Sequence, residues 1–179
     1  MSLTHGKSKT EASETEAAES PEFEALFNQQ WDRICRVIYR LVGDWAEAED
    51  IAIDAFLRLH QRPPKENQNL NGWLYRVAMN LGINSLRDRK RRQRYEDKAG
   101  RIILDENAPN DPERTLEHQQ ERERVRTSLA SIKPRSAKLL ILRHSGFSYA
   151  EIADAFQISP GSVGTLLARA EREFKKKHE

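Results

Sequence analysis

The chain has 179 residues, of which 32% are charged and 37% hydrophobic, a balance that favours small helical units over one large core. The formal net charge is only +2, yet it is unevenly placed: Arg87 to Arg94 holds six basic residues and one acid, whereas Glu11 to Glu24 carries acids and no base. Cys35 is the only cysteine, which excludes an internal disulfide and a cysteine metal cluster, and no apolar run approaches the ~20 residues that span a bilayer.

Met1 to Ser20 has almost no large apolar residue, so it cannot bury enough surface to offset its ordering entropy, and a disordered tail is expected. From Pro21 the residues Phe23, Leu26, Phe27, Ile34, Ile38 and Leu41 recur at helical spacing, and Gly43 offers a stop. Within that pattern Cys35 reads as a small packed thiol. Asp44 with Glu47 forms a capping box that opens a second helix, whose buried side is Ala48, Ile51, Ala52, Ala55 and Leu59. On another face of it Glu47, Asp50, Asp54 and Arg58 line up at intervals of three and four. Three carboxylates on one helix could hold a metal, but no histidine or second acidic cluster pairs with them, so a solvated or protein-binding face is the better reading.

Gln61 to Gly72 reads as a loop: Pro63-Pro64, then Lys65-Glu66-Asn67-Gln68-Asn69. It is either a plain connector or a base reader, since Asn and Gln amides both donate and accept. The helix from Trp73 to Arg94 follows. Leu74, Val77, Ala78 and Leu81 share one face, while Arg76, Asn80, Asn84, Arg87 and Arg91 form a stripe on another. Guanidinium groups neutralise phosphate, amides bond base edges, and rings such as Trp73 and Tyr75 can stack on unpaired bases. An amphipathic helix with a merely solvated basic face is the plain alternative.

Gln93 to about Gln120 loses periodicity, contains Pro109 and Pro112, and is mainly acidic through Asp105, Glu106, Asp111, Glu113 and Glu117. It reads as a linker with a possible short helical piece at its end. Helical spacing returns near Arg122 through Val125, Leu129 and Ile132, and Pro134 starts a helix that Gly146 ends. Ser148 with Glu151 is a second capping box, opening a short helix through Ile152, Ala153 and Phe156. After the turn Gln157-Ile158-Ser159, Ser159-Pro160 starts a helix packed through Val163, Leu166, Leu167 and Ala170. Short helix, tight turn and longer helix with small polar residues at its start make the layout of a helix-turn-helix, with an ordinary helical hairpin as the plain alternative.

Taken together, these stretches resemble the extracytoplasmic-function subgroup of bacterial RNA polymerase sigma factors. Ala46-Glu47-Ala48-Glu49-Asp50-Ile51 with Phe56-Leu57-Arg58 is similar to that family's core-polymerase-binding helix. Gly72-Trp73-Leu74-Tyr75-Arg76-Val77-Ala78 with Asn80 and Leu86-Arg87 is similar to its promoter-melting helix. Ser148 to Ala153 through Ile158-Ser159, Gly161, Val163 and Arg169-Ala170 is similar to its C-terminal helix-turn-helix.

The resemblance implies an all-α protein of two small helical domains joined by a flexible linker: a tail at 1–20, a promoter-melting and polymerase-binding domain at 21–95, an acidic linker at 96–121 and a helix-turn-helix domain at 122–179. It implies core-polymerase contact through Glu47, Asp50, Asp54 and Arg58. Minus-10 contact would fall to Lys65, Asn67, Gln68, Asn69, Trp73, Tyr75, Arg76, Asn80, Asn84, Arg87 and Arg91, and minus-35 contact to Ser159, Gly161, Ser162, Thr165 and Arg169. Core RNA polymerase and promoter DNA are the implied partners, an anti-sigma factor a further one; no catalysis, cofactor, metal or membrane insertion is expected, and the location is cytoplasmic. The chain departs from the pattern at Gly164 and Leu166, where the family often has Lys and Arg, and at Ile53 and Asn84. A stand-alone helix-turn-helix regulator of duplex DNA would leave the Trp73 to Arg94 helix without a task, and a metal-dependent nuclease would need carboxylates from several elements.

Overall fold

The computed structural model describes residues 21–64, 69–98 and 112–178. Within them the chain forms seven helices and no strand: α1 (Pro21–Val42), α2 (Trp45–Gln61), α3 (Leu70–Lys98), α4 (Pro112–Ser131), α5 (Pro134–His144), α6 (Tyr149–Phe156) and α7 (Pro160–His178). The tail, Lys65, Asn67, Gln68, and the acidic Asp105, Glu106 and Asp111 lie outside the described residues.

The first three helices build one bundle. α1 buries Ile34, Cys35, Val37, Ile38 and Leu41, one apolar stripe at helical spacing, against Ala48, Ala52 and Ala55 of α2 and Leu74, Met79 and Ile83 of α3. Gly43, at φ +84°, turns the chain out of α1, and its amide still bonds the Tyr39 carbonyl at 2.8 Å. Asp44 then caps α2 by accepting from the Glu47 amide at 2.8 Å. The expected box is half formed. The Glu47 carboxylate accepts instead from Ser85 Oγ and lies 3.8 Å from Arg89, which ties α2 to α3.

The remaining four helices build the second bundle, with Leu139 and Leu142 of α5 packed with Val163 and Leu167 of α7 in its core. Here the Ser148 box is complete: Ser148 Oγ accepts from the Glu151 amide and the Glu151 carboxylate accepts from the Ser148 amide. The turn between α6 and α7 is tight because Gln157 adopts a left-handed backbone, φ 53°.

Three expectations need correcting. The loop expected over 61–72 is shorter, since α2 includes Gln61 and α3 begins at Leu70, where Asn69 Oδ1 accepts from the Gly72 amide at 3.2 Å. The linker is shorter too: α3 runs to Lys98, and α4 starts at Pro112 rather than near Arg122. A proline needs no amide partner at a helix start, and the polar opening turns of α4 carry no apolar period to read. Finally, the buried apolar residues do not form two small cores. They make one contiguous cluster across both bundles, joined where Phe147, fully buried, meets the Tyr75 ring edge-on at 4.6 Å.

Candidate nucleic-acid interface

The stripe along α3 is present. Arg76, Asn80, Asn84, Arg87 and Arg91 succeed one another at three- and four-residue steps; Asn80, Asn84 and Arg91 are exposed, and Arg76 and Arg87 half-buried. Trp73 and Asn80 line an open groove between α2 and α3 together with Asp54, Arg58, Gln61 and Arg62. Arg62, exposed and just before Pro63-Pro64, adds a cation that sequence reading passed over.

Tyr75 does not share that stripe. It is 3% exposed, its hydroxyl donates to Gln30 at 2.6 Å, and burial pushes its phenol well above the ordinary range. It is a packing residue here, not a stacking platform. Several neighbours on α3 and just before it are held by the second bundle. Asn69 donates to the Asp154 carboxylate at 2.8 Å, Asn80 accepts from Lys138, and Arg87 donates to the Ile132 carbonyl at 2.9 Å. Burial and the neighbouring Arg87 hold the Lys138 ammonium below its usual range. Lys90 donates to Ser131 and to the Thr127 carbonyl, so part of the basic run serves the C-terminal end of α4, where a helix presents negative carbonyls.

The acidic face of α2 divides in the same way. Asp50 is exposed, Asp54 and Arg58 form a two-bond pair at 2.9 and 3.1 Å, and Glu47 is turned inward to α3. Beside them Ile53 and Leu57 stand about half exposed. Two exposed aliphatic side chains between charged ones suit a protein contact.

On α7, Gly161, Ser162, Thr165 and Arg169 form an exposed edge opposite the buried Val163, Leu167 and Ala170, with Ser159 exposed at its start. Ser159 and Ser162 share a hydrogen bond at 2.8 Å. Gly164 leaves ordinary van der Waals room to the Tyr149 ring, over which Arg143 lies at 5.4 Å. Both Tyr149 and Arg143 are exposed beside the edge; their signal in sequence, an arginine in the last turn of α5 and a tyrosine at the first position of α6, was not separable from ordinary surface.

The family model of sigma-70 region 2 matches residues 26–92, the α1–α3 bundle with its stripe, and that of sigma-70 region 4 matches residues 122–174, the bundle ending in the helix-turn-helix. Among curated proteins, the extracytoplasmic-function sigma factor SigE of Mycolicibacterium smegmatis is 27% identical over 88% of this chain, and SigW of Bacillus subtilis is 28% identical over 81%. The chain belongs to the extracytoplasmic-function sigma factors.

The match spans 62% of the length of the first relative and 82% of the second. Two solved structures share the fold of this sigma factor. One is the sigma factor RpoE in complex with the anti-sigma factor NepR from Bartonella quintana, with a TM-score of 0.53 and 20% identity over 88% of this chain and 97% of that one. The other is CnrH in complex with the cytosolic domain of CnrY, with a TM-score of 0.55 and 15% identity over 92% and 94%. The family is not an enzyme class, and among the described residues no helix is long and apolar enough to cross a membrane.

Proposed function

We propose that this sigma factor binds core RNA polymerase and gives it promoter specificity, with α1–α3 (residues 21–98) melting and holding the minus-10 element, α4–α7 (residues 112–178) reading the minus-35 element, and the segment between Lys98 and Pro112 joining the two. The observation that carries the reading is the pairing, in one chain, of two unlike DNA-facing surfaces: a cation-and-amide stripe beside an indole on α3, and an exposed helix-turn-helix edge on α7. A duplex regulator needs only the second of these, so it is the poorer account.

In this reading Trp73, Arg76, Asn80, Asn84, Arg87 and Arg91 hold the separated strand, together with Lys65, Asn67, Gln68 and Asn69 of the preceding loop. Stacking on an aromatic ring recovers part of the cost of unpairing a base, about 1–3 kcal/mol per base. Ser159, Gly161, Ser162, Thr165 and Arg169 face the minus-35 major groove, where helix-start amides also reach phosphates. Asp50, Asp54 and Arg58, with Ile53 and Leu57 between them, dock on the polymerase, and Glu47 acts from behind by fixing α2 on α3. The protein works in the cytoplasm, and an anti-sigma protein is a further partner, by analogy with the RpoE–NepR complex named above.

The test is reconstitution. Purified protein added to core bacterial polymerase on promoter fragments of its own genome should produce discrete start sites that vanish without it; polymerase that neither co-elutes with it nor initiates would overturn the reading.

A further inference from the structure

Beyond the groove that holds Trp73, the far end of α3 forms a cleft of about 540 Å³ with the end of α4, walled by Arg87, Lys90, Arg91, Arg94, Tyr95 and Ser131. At 1.5 Å per residue Arg94 stands about 30 Å along the helix from Trp73, so the two places are distinct. Four of the walls are cations and none is a carboxylate. Asp88 lies 3.2 Å from Arg91, but among the described residues no acid pairs with Arg87, Lys90 or Arg94. Burial, and then Arg94 and Lys177, hold the Lys90 ammonium below its usual range, as expected where cations gather without a counter-charge.

The end of α4 would by itself repel an anion through its carbonyls. Here Arg87 donates to the Ile132 carbonyl at 2.9 Å and Lys90 to the Thr127 carbonyl at 3.3 Å, which covers two of those oxygens. Arg87 Nε is buried and has no partner, an unmade bond of the kind that a bound group satisfies. Tyr95 adds a ring that is 68% exposed, free to take a flat partner on its face.

We propose that this cleft is a binding site for a free nucleoside polyphosphate, with its phosphates among Arg87, Lys90, Arg91 and Arg94 and its base on the Tyr95 ring. The size agrees, since small-molecule sites run to about 300–1,000 Å³. The charge density agrees as well. A DNA strand offers one phosphate per nucleotide, spread along its length, whereas a nucleoside polyphosphate brings several to one place, which four cations around one cleft match. The site does not depend on the promoter reading, although a nucleotide bound there would compete with a strand for Arg87 and Arg91.

The test is calorimetric titration of the full chain in magnesium-free buffer at about 0.15 M salt, with ATP, GTP, adenosine and inorganic triphosphate as probes. ATP or GTP should bind at one per chain, inorganic triphosphate about tenfold more weakly for want of one stacked base, and adenosine not measurably. Tyr95→Ala should lower nucleotide affinity to that of triphosphate and leave triphosphate itself unchanged. Lys90→Ala and Arg94→Ala should each weaken nucleotide and triphosphate by about tenfold, one charged hydrogen bond. Arg36→Ala, which removes an exposed cation of α1 far from the cleft in sequence and on another helix, should change neither. Circular dichroism confirms that each variant is folded. No saturable binding of either nucleotide would overturn the site, and so would an equal loss in Arg36→Ala and Arg94→Ala, which would mean a general attraction of anions. Triphosphate as tight as nucleotide, with Tyr95→Ala without effect, would overturn the nucleotide assignment.

Discussion

The two surfaces proposed to face DNA in this sigma factor are built on opposite terms. On α3 two of the five stripe residues are engaged by the second bundle, Asn80 by Lys138 and Arg87 by the Ile132 carbonyl, and Asn69 just before the helix is held by Asp154, whereas on α7 the edge from Gly161 to Arg169 faces solvent. The difference follows from what each would bind. A duplex groove accepts a preformed helix edge, which can wait exposed. A single strand must be captured base by base, and a face carrying Trp73, amides and guanidinium groups would also capture unwanted nucleic acid if left open.

The contrast can be broken most severely at its hinge point. Phe147→Ala should destabilise the protein by about 3–5 kcal/mol in urea denaturation, as for other large buried aromatics, because the side chain is fully buried where the bundles meet. A loss under 1 kcal/mol would mean the seam is not part of the folded core. Next, Trp73→Ala should impair open-complex formation by about 1–3 kcal/mol, one stacked base, and leave closed-complex binding nearly intact; permanganate footprinting distinguishes the two. Arg169→Ala should weaken promoters that depend on the minus-35 element by a comparable or smaller amount, about 1–3 kcal/mol if it reads a base. The salt dependence of binding tells whether phosphate or base contact is lost.

Two smaller effects sharpen the comparison. Ser148→Ala removes the α6 cap and should cost about 1 kcal/mol, with hydrogen exchange rising in α6 before α3. The last concerns acid. Burial raises the Glu151 carboxyl, but hydrogen bonds from the Ser148 amide and hydroxyl and from Arg33 outweigh it and hold the group below the usual carboxylate range. The Ser136 hydroxyl and Lys133 amide do the same for Glu173. A folded pKa below the unfolded one gives stability that is present above the unfolded value and is lost as pH falls through the folded one. Thermal stability should therefore be flat near neutrality and decline below about pH 4, with a shallower decline in Glu151→Gln; an unchanged profile in that variant would remove Glu151 from the account.

Local signals in the sequence reached far. The stripe of α1, the Asp44 and Ser148 caps, Pro134, Pro160 and the turn at Gln157 all act within a few residues, so spacing alone reveals them. The second bundle's use of the α3 stripe was not legible, because Asn80 and Arg87 find their partners 58 and 45 residues downstream, at Lys138 and Ile132; the burial of Tyr75 was hidden likewise, its partners lying 45 residues upstream at Gln30 and far downstream at Phe147. A tyrosine two residues from a half-buried tryptophan looks like a second stacking ring until the distant residue that covers it is known. Glu47 misled for a similar reason: its spacing with Asp50 and Asp54 shows a shared face, but not that Ser85 and Arg89 stand across from its end of it. The start of α4 was legible only as a possible short helical piece, because its opening turns are mainly polar and show no apolar period.

Cys35 turns this architecture into its own stopwatch. It is the only thiol in the chain, sits fully buried within α1, and desolvation, aided by Glu49 and Asp32, pushes it up to about 11. Alkylating reagents attack the thiolate, so labelling waits for α1 to come away from its own bundle. Separation of the two bundles at Phe147 leaves the packing of α1 on α2 in place. The rate of Cys35 modification therefore counts unfolding of the first bundle and ignores parting of the halves, an unlabelled chemical clock that tells the two motions apart in the natural sequence.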